Sequence, residues 1–389
     1  MDILFVTALP LEMNTSSMIR NFALIRGLVE TNHNVSILSP EGETGSVFCD
    51  KTILEFLRES KTIRFGAEGA SSLVKRAKAN SKKSCLVRNL RRVFKLFSVY
   101  GSHGFVIKAF SELSSSEKKY DLVISSSDPK ASHLLVMKYL RENVKWDLWI
   151  QYWGDPLAQD ITATDILPRW IKKHEERKLL NAASKIVYVS PLTLDEQRKV
   201  YPNAANKMYF LPTPYLAYSN LSRKSESDKI KIGYFGNYNR SVRNIEPLYN
   251  IVSRNPKFEL IIAGDSEMKL DSRSNIQVYP RIDIKRIHEL EKECDILVCI
   301  TNKKGSQIPG KLYQYAGTSK DVLVILDGNI APLKAYLASF ERFDFCVNEE
   351  HDIQNALNQY DENKLGKQHP CEALSPSAIA EKFIAIVSN

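Results

Sequence analysis

The sequence predicts an α/β protein with two doubly wound parallel-sheet domains that face a cleft. Short apolar runs alternate with amphipathic helical patterns, and this alternation favours parallel sheets with right-handed crossovers. The pattern stops at a polar stretch, residues 219–228, and then starts again. At 389 residues the chain also exceeds the usual size of one hydrophobic core. We therefore expect two domains joined by a linker.

The first domain is expected to span residues 1–218. Its predicted strands are the apolar runs Ile3–Thr7, Val35–Leu38, Leu122–Ser125, Trp149–Trp153, Ile186–Val189 and Met208–Leu211. Apolar residues at helical spacing predict helices between several of these strands, at Ser17–Glu30, Ala131–Arg141 and Pro168–Ala182.

The second domain is expected to span residues 229–370, with a C-terminal helix in residues 371–389. Its predicted strands are Ile230–Phe235, Glu259–Ala263, Ile276–Tyr279, Ile296–Ile300 and Val322–Leu326. The final helix is indicated by the spacing of Ile379, Phe383, Ile384 and Val387.

Composition places the chain among soluble globular proteins, with 43% hydrophobic and 25% charged residues. No stretch reaches the ~20 apolar residues of a membrane helix. The N-terminal residues lack a basic lead and a small-residue cleavage site, so we expect no signal peptide. The six cysteines show no zinc-binding spacing. These features favour a reducing cytoplasm.

A basic segment, residues 69–111, contains ten lysines or arginines and no acidic residue. Apolar residues lie among these cations at roughly helical spacing: Leu86, Leu90, Val93, Phe94 and Phe97. A basic amphipathic helix suits an anionic membrane surface. Nucleic acid and a plain solvated helix face are the alternatives. We expect no nucleic-acid partner, because no nucleic-acid-binding module is visible.

Two glycine turns follow predicted strands of the second domain. Gly236-Asn237 leads to Arg240 and Arg243, and glycine there lets a phosphate approach the backbone while arginines pair with it. Gly264-Asp265 follows the next strand, at the edge where open α/β sheets bind ligands. Each turn alone also fits a plain strand–helix connection. Neither domain has the Gly-x-Gly-x-x-Gly pattern of dinucleotide-binding dehydrogenases after its first strand.

The most informative stretch is residues 306–328. A loop ends at Pro309, Lys311 follows, and a short predicted helix leads to the buried strand Val322–Leu326. Free amides of a first helical turn beside a lysine attract anions. The stretch therefore predicts a phosphate or nucleotide ligand.

Taken in order, these motifs resemble the donor-binding domain of GT-B glycosyltransferases. The series is strand-Gly-x-x-x-x-Arg, Ala-Gly-Asp, a polar loop, and Ile-Pro-x-Lys-Leu-x-x-Tyr-x-x-x-x-Lys-x-Val-Leu. It is most similar to family-four enzymes that build bacterial surface polysaccharides and lipopolysaccharide. The resemblance covers most of the chain apart from residues 52–117, and it implies two Rossmann-like domains in the GT-B architecture.

The resemblance implies roles for several residues. Gly236, Arg240 and Lys311 would face the donor diphosphate, and Asn237 would belong to the donor site. The Gly264 turn would bring Asp265 near the nucleotide pocket, and Ile282 would offer its backbone to the base. These donor-site expectations comprise Gly236, Asn237, Arg240, Gly264, Asp265, Ile282, Lys311 and Gln314.

At three positions the sequence departs from the family. Two family glutamates, near the transferred sugar and the ribose, fall on Ser306 and Gln314 here, so Ser306 is a candidate catalytic residue although it cannot supply a carboxylate. A family histidine is missing from Ser125–Pro129, where Asp128 is a candidate for catalysis or for capping the following helix. His133 lies further on, and its spacing suggests a helix face.

The resemblance implies a metal-independent transferase without a cofactor. It would move a sugar, with retention, from a nucleoside-diphosphate donor to a hydroxyl of a lipid-linked or polysaccharide acceptor, at the inner face of the plasma membrane. Basic side chains would stabilise the departing diphosphate. The alternatives are a nucleotide-sugar epimerase or hydrolase of the same fold, and a non-catalytic nucleotide- or glycan-binding protein.

Overall fold

The computed structural model describes residues 1–40, 42, 49–59, 62–65, 96–101, 103–106, 118–161, 165–219, 229–361 and 364–388. The ten cations of the basic segment and all but the first residue of the predicted linker lie outside these residues. The chain divides into two compact units, the first formed by Met1–Pro212 with Ala380–Asn389 and the second by Thr213–Ile379. The division thus falls at Pro212 rather than after residue 218, and the last ten residues group with the first unit.

Among the described residues, the first unit contains a seven-stranded parallel sheet in the order β3-β2-β1-β4-β5-β6-β7. The strands are β1 Asp2–Val6, β2 Asn34–Pro40, β3 Thr62–Phe65, β4 Lys119–Ser126, β5 Lys145–Trp153, β6 Lys185–Tyr188 and β7 Met208–Phe210. The helices described for this part are α1 Ser16–Glu30, α2 Lys51–Glu59, α3 His103–Val106, α4 Ala131–Lys138, α5 Arg169–Ala182 and α6 Pro191–Val200.

The second unit contains a six-stranded parallel sheet in the order β10-β9-β8-β11-β12-β13. Its strands are β8 Ile230–Phe235, β9 Phe258–Ala263, β10 Ile276–Tyr279, β11 Ile296–Ile300, β12 Asp321–Leu326 and β13 Asp344–Val347. The helices described here are α7 Glu246–Arg254, α8 Ile284–Glu293, α9 Gly310–Ala316, α10 Ile330–Ala338 and α11 Glu350–Asn358. The expected class, two doubly wound parallel-sheet domains, is confirmed.

The central strands are buried on both faces. Ile296–Ile300 is buried at every residue, and the same holds for the strand beside it, Asp321–Leu326. Helices on both faces of a parallel sheet explain why such strands are nearly continuous apolar runs.

The strand order reverses once in each sheet, between β1 and β4 in the first and between β8 and β11 in the second. At such a switch point the two connections leave on opposite faces of the sheet and open a crevice at the carboxyl ends of the strands. The fold therefore points to one ligand-binding edge in each unit.

The C-terminal helix α12, Pro376–Ser388, ends against the first unit's sheet. Phe383 meets the ring of Tyr152 edge-on, with centroids 6.4 Å apart. The Lys185 ammonium donates to the carbonyls of Ile386, at 2.6 Å, and Val387, at 3.0 Å. A cation at these terminal carbonyls stabilises the helix end. No helix among the described residues is both long and apolar enough to cross a bilayer.

Candidate functional site

The two predicted glycine turns of the second unit lie side by side at the carboxyl edge of the sheet. The Gly236 amide donates to the carbonyl of Ala263 at 3.0 Å. The Asp265 amide donates to the Asn237 side-chain oxygen at 3.2 Å. The structure thus brings Gly236, Asn237, Gly264 and Asp265 together, as their positions after neighbouring strands predict.

The two glycines in these turns have different roles. A Cβ atom at Gly264 would overlap the carbonyl group of Gly236, so this position requires glycine for packing. A Cβ atom at Gly236 would meet nothing closer than the Tyr234 hydroxyl, at 3.7 Å. The backbone of Gly236 is therefore the one that a ligand can approach.

Of the two arginines after this turn, Arg243 lies nearer to the switch point. Arg240 is exposed and pairs with Glu246 through both Nε and Nη2. Arg243 donates from Nε to the Asn302 side-chain oxygen at 2.7 Å, and Asn302 follows β11. Arg240, which the resemblance places at the diphosphate, thus points to Glu246, and Arg243 reaches the end of β11.

Lys311 lies at the start of α9 and joins the same edge. Its ammonium contacts the largely buried carboxylate of Glu291 at 2.7 Å and lies 5.5 Å from the ring centroid of Tyr315. Burial raises the pKa of Cys299, in β11, to about 12, and the charges of Arg243 and Lys311 oppose that rise. The two cations therefore both act on the carboxyl end of β11.

Three further residues of the predicted site have different surroundings. Gln314 accepts a hydrogen bond from the Leu216 amide at 2.9 Å and donates to the Pro214 carbonyl at 3.4 Å. Its amide group thus anchors the start of the second unit. Ser306 is buried after β11. Ile282, half-buried, follows β10 and precedes the residue that caps α8.

The first unit carries a charged cluster at the carboxyl ends of β4 and β5, formed by Arg20, Asp128, Lys130, Asp155 and Asp160. The Lys130 ammonium bridges two carboxylates, Asp128 at 2.5 Å and Asp160 at 2.6 Å. Burial alone would lower the pKa of Lys130, but these carboxylates raise it overall. Lys130 is thus held as a buried cation.

Asp128 does not cap the following helix. The N-cap position of α4 is Lys130, and no side chain bonds the free amides there. The Asp128 carboxylate instead pairs with Lys130, because a buried ammonium needs a counter-charge. The capping alternative is therefore wrong.

Arg20 reaches this edge from α1. Its guanidinium donates to the Ser127 carbonyl and lies 5.1 Å from the ring centroid of Tyr152. A Cβ atom at Gly154 would overlap this guanidinium, so glycine after β5 makes room for the arginine. The Gly154 amide donates to the Ser127 hydroxyl at 2.9 Å, which joins the two strand ends.

Asp155 is the titratable centre of the charged cluster. Its side chain keeps some exposed surface but has protein on most sides. Burial, followed by the charge of Asp128, raises its pKa to about 7, while Lys130 and Arg20 oppose the rise and Asp160 adds to it. A carboxyl group with such a pKa exchanges protons near neutral pH.

His133 belongs to the core rather than to this cluster, as its helical spacing suggests. It is buried on α4, its ring centroid lies 4.3 Å from that of Trp153, and Nδ1 is 2.8 Å from the Ser125 hydroxyl. Burial, with Lys130 and Arg20 nearby, lowers its pKa well below the usual value. The histidine therefore stays neutral.

Among the described residues, no group of three or more His, Cys, Asp or Glu side chains is placed to hold a metal ion. No family model matches the sequence, and no curated protein matches it as a relative. The functional comparison therefore depends on solved structures.

Three solved structures share the fold over nearly the whole chain. Anabaena HepE in complex with UDP and glucose has a TM-score of 0.57 at 12% identity, covering 100% of this chain and 99% of that one. Sucrose-phosphate synthase from Thermosynechococcus elongatus has a TM-score of 0.59 at 13% identity, with 99% and 98% covered. The lipopolysaccharide outer core galactosyltransferase WaaB has a TM-score of 0.54 at 13% identity, with 100% and 99% covered.

At these identities the similarity establishes the fold and leaves the activity open. The two compact units, each with a parallel sheet whose strand order reverses once, have the doubly wound architecture that the sequence predicts. The expectation drawn from the motifs is confirmed: the chain has the two-domain, Rossmann-like fold of the GT-B glycosyltransferases.

Proposed function

We propose that the protein is a glycosyltransferase that moves a sugar from a nucleoside-diphosphate donor to a hydroxyl group of a glycan or lipid-linked acceptor. The observation that carries this proposal is the convergence of Arg243 and Lys311 on the carboxyl end of β11, beside the open backbone of Gly236. Two cations and an approachable backbone at a switch point suit a diphosphate.

The second unit binds the donor in this proposal. The Lys311–Glu291 pair is partly exposed on the lysine side, so a phosphate replaces water rather than protein around the ammonium. Glu291 holds the lysine in place and offsets part of its charge. UDP is the first nucleotide to test, because the HepE structures contain it together with glucose or as UDP-glucose.

Stabilisation of the leaving diphosphate falls to Arg243 and Lys311. As the bond between sugar and phosphate breaks, negative charge grows on the phosphate oxygens, and fixed cations lower the energy of that state. This arrangement supports a metal-independent reaction. Retention of anomeric configuration remains part of the proposal by resemblance.

The first unit binds the acceptor hydroxyl at the charged cluster. Asp155 near its pKa of about 7 accepts a hydrogen bond when ionised, and Lys130 keeps the neighbouring carboxylates in place. Asp128 orients Lys130 in this proposal and is not itself the reacting group. A neutral hydroxyl, unlike a phosphate, suits an edge whose carboxylates outnumber its cations.

The acceptor is proposed to be lipid-linked and the protein to work at the cytoplasmic face of a membrane. The support is the basic segment, whose ten cations include Arg88, Arg91 and Arg92. Changing these three residues to glutamate should abolish sedimentation with anionic vesicles at low salt and leave UDP affinity unchanged. Sedimentation equal to that of the wild type would remove this support.

The test of donor binding is calorimetric titration of UDP into wild type, Lys311→Ala and Lys334→Ala. Lys334 is an exposed lysine on α10 of the same unit and serves as the control. Lys311→Ala should weaken UDP binding by ~1.5–3 kcal/mol, the range for hydrogen bonds to charged groups, whereas the control should not. Equal affinities in folded variants would contradict the donor site.

Release of UDP from a sugar donor distinguishes the proposed transferase from a hydrolase and from a non-catalytic binding protein. A transferase releases UDP from a sugar donor only when an acceptor is present, a hydrolase releases it without one, and a non-catalytic protein binds without release. Ser306 stands where the resemblance implies a glutamate, which makes this comparison necessary. Release that does not depend on acceptor would exclude the proposed transfer.

A further inference from the structure

Glu176 is a buried carboxylate of the first unit that lies outside the charged cluster. It belongs to the inner face of α5, which also carries Leu179 and Leu180, and its side chain is fully buried. Burying a carboxylate is costly unless hydrogen bonds or a counter-charge compensate it. The partners of Glu176 therefore indicate its role.

Three hydrogen bonds compensate the Glu176 carboxylate. The Leu157 amide donates to Oε1 at 2.6 Å, and the next amide along the chain, that of Ala158, donates to Oε2 at 3.2 Å. The Tyr201 hydroxyl also donates to Oε2, at 2.6 Å. Burial raises the pKa of Glu176, and these bonds and the charge of Lys130 oppose the rise because they favour the ionised form. Two of the three donors thus belong to one short stretch of backbone.

That stretch is the middle of residues 154–160, the segment that follows β5 and contains neither helix nor strand. Asp155 lies two residues before Leu157, and Asp160 lies two residues after Ala158. The buried carboxylate therefore bonds the segment at its midpoint, between the two acidic residues that the segment supplies to the charged cluster. Because no ladder of backbone hydrogen bonds fixes this segment, its course depends on side-chain partners.

Two further hydrogen bonds hold the segment near its ends. The Gly154 amide donates to the Ser127 hydroxyl at 2.9 Å. The Gln197 side chain, on α6, donates to the Gln159 side-chain oxygen at 2.6 Å. The bonds to Glu176 lie between these two points, so they decide the course of the backbone from one acidic residue to the other.

We propose that Glu176 is the positioning residue of the charged cluster, and that it holds residues 154–160 so that Asp155 and Asp160 both face Lys130. The Lys130 ammonium lies 2.6 Å from the Asp160 carboxylate, and its charge also acts on Asp155. Both acidic residues of the segment therefore lie on the side of this lysine. Glu176 acts through them and does not itself contact a substrate.

This inference rests on the proposed function only in assigning the acceptor hydroxyl to the charged cluster. The positioning is a property of the folded protein and is measured without a substrate. Failure of the transfer assay would therefore leave it standing. Loss of the positioning role would in turn leave the donor site unaffected.

The pKa of Asp155 reports whether the segment is in place. Burial, followed by the charge of Asp128, raises this pKa to about 7, Asp160 adds to the rise, and Lys130 and Arg20 oppose it. Carbon-13 NMR of protein labelled at the aspartate carboxyl groups measures the pKa, and the signal that disappears in Asp155→Asn identifies the residue. A general loss of stability does not move this value while the protein stays folded.

The deciding variant is Glu176→Gln. Its amide group keeps one acceptor oxygen and replaces the other by a donor, so the Leu157 and Ala158 amides cannot both keep their acceptor. The released segment exposes Asp155 to water, and because burial is the main cause of its raised pKa, that pKa should fall by at least about one pH unit. Under the proposed function, the KM for the acceptor should rise while the affinity for UDP stays unchanged.

Tyr201→Phe is the matched control. It removes the third hydrogen bond to the same carboxylate and leaves both bonds to the segment. It should lower the melting temperature and leave the pKa of Asp155 unchanged. Glu176→Asp is a second variant, which keeps the charge but is one methylene too short to reach both amides. It should also lower the pKa of Asp155, and it carries the test if Glu176→Gln does not fold.

Three results would overturn the proposal. The first is an unchanged pKa of Asp155 in a folded Glu176 variant. The second is an equal fall of that pKa in Tyr201→Phe, which would make Glu176 one structural residue among others. The third is a wild-type pKa of Asp155 in the usual aspartate range, which would show that the segment is not held against the cluster.

Discussion

Replacing Asp155 by asparagine removes the titrating group of the charged cluster and keeps its shape. In the folded protein its pKa is raised from 3.8 to about 7, chiefly by burial and then by the charge of Asp128. The folded state therefore holds this proton more tightly than the unfolded chain does. Ionising Asp155 between about pH 4 and pH 7 costs folding free energy, and asparagine avoids that cost.

The sign and size of this effect on the free energy of unfolding follow from the difference between the folded and unfolded pKa of Asp155. A carboxyl group with a raised folded pKa destabilises the protein as the pH rises from the unfolded pKa to the folded one, and the loss is complete above it. A shift of about three units corresponds to at most ~4 kcal/mol. Because Lys130 and the two neighbouring carboxylates share the interaction, we expect Asp155→Asn to gain ~1–3 kcal/mol at pH 8 and about nothing at pH 4.

Thermal unfolding of both proteins from pH 4 to pH 9 measures this difference. For a unit of roughly 200 residues, 1 kcal/mol moves the melting temperature by ~2–4 °C. Asp147→Asn is the control, since Asp147 is about half exposed and paired with Lys119. A melting-temperature difference for Asp155→Asn that does not grow between pH 4 and pH 7 would refute the reasoning.

Three further changes test the packing around the sites. Gly264→Ala should lower the melting temperature and weaken UDP binding, because its Cβ overlaps the Gly236 carbonyl group and overpacking costs ~1–3 kcal/mol. Gln314→Leu should lose ~1–3 kcal/mol of stability by leaving the Leu216 amide without its acceptor, whereas Gln314→Glu keeps one; equal unfolding midpoints in urea would contradict this. Lys185→Met should lower the melting temperature by removing the cation at the end of α12, and an unchanged value would show that the helix end does not need it.

The strands could be predicted from the sequence where they are buried on both faces. Such strands are continuous apolar runs, and each of the eleven predicted runs corresponds to a strand. The apolar pattern does not predict two strands, β3, Thr62–Phe65, and β13, Asp344–Val347. Each is four residues long, contains charged or polar residues, and lies at the outer edge of its sheet. Edge strands need less apolar sequence, so the pattern that identifies inner strands does not identify them.

The carboxyl edge of the second unit's sheet could be predicted in part, because the backbone decides which loops meet there. Residues that follow neighbouring parallel strands meet at one edge of the sheet, independently of their side chains. The positions of the two glycine turns therefore follow from the sequence. The direction of a side chain depends on its partners in space. Arg240 turns to Glu246 and Arg243 to Asn302, and no spacing in the sequence distinguishes the two.

The charged cluster in the first unit lay beyond sequence reasoning. Asp128 was selected by its place after β4, and Lys130 two residues later was a usable signal. Arg20 reaches the cluster from a helix more than one hundred residues earlier, by donating to the Ser127 carbonyl. Its contact depends on glycine at position 154, where any side chain would overlap the guanidinium. Arg20 and Gly154 are more than one hundred residues apart, and a single sequence contains no spacing that links them.

The two switch points differ in charge in the way that the proposed reaction requires. At the second unit's edge, Arg243 and Lys311 are compensated mainly by Glu291, and an incoming diphosphate finds an excess of positive charge. At the first unit's edge, three carboxylates share two cations, and burial, followed by the charge of Asp128, raises the pKa of Asp155 to about 7. Under the proposed function, a diphosphate is expected to avoid the first edge and to bind at the second, whereas a neutral hydroxyl can donate a hydrogen bond to a carboxylate of the first. This difference in charge is the reason why the proposed function places the donor in the second unit and the acceptor in the first.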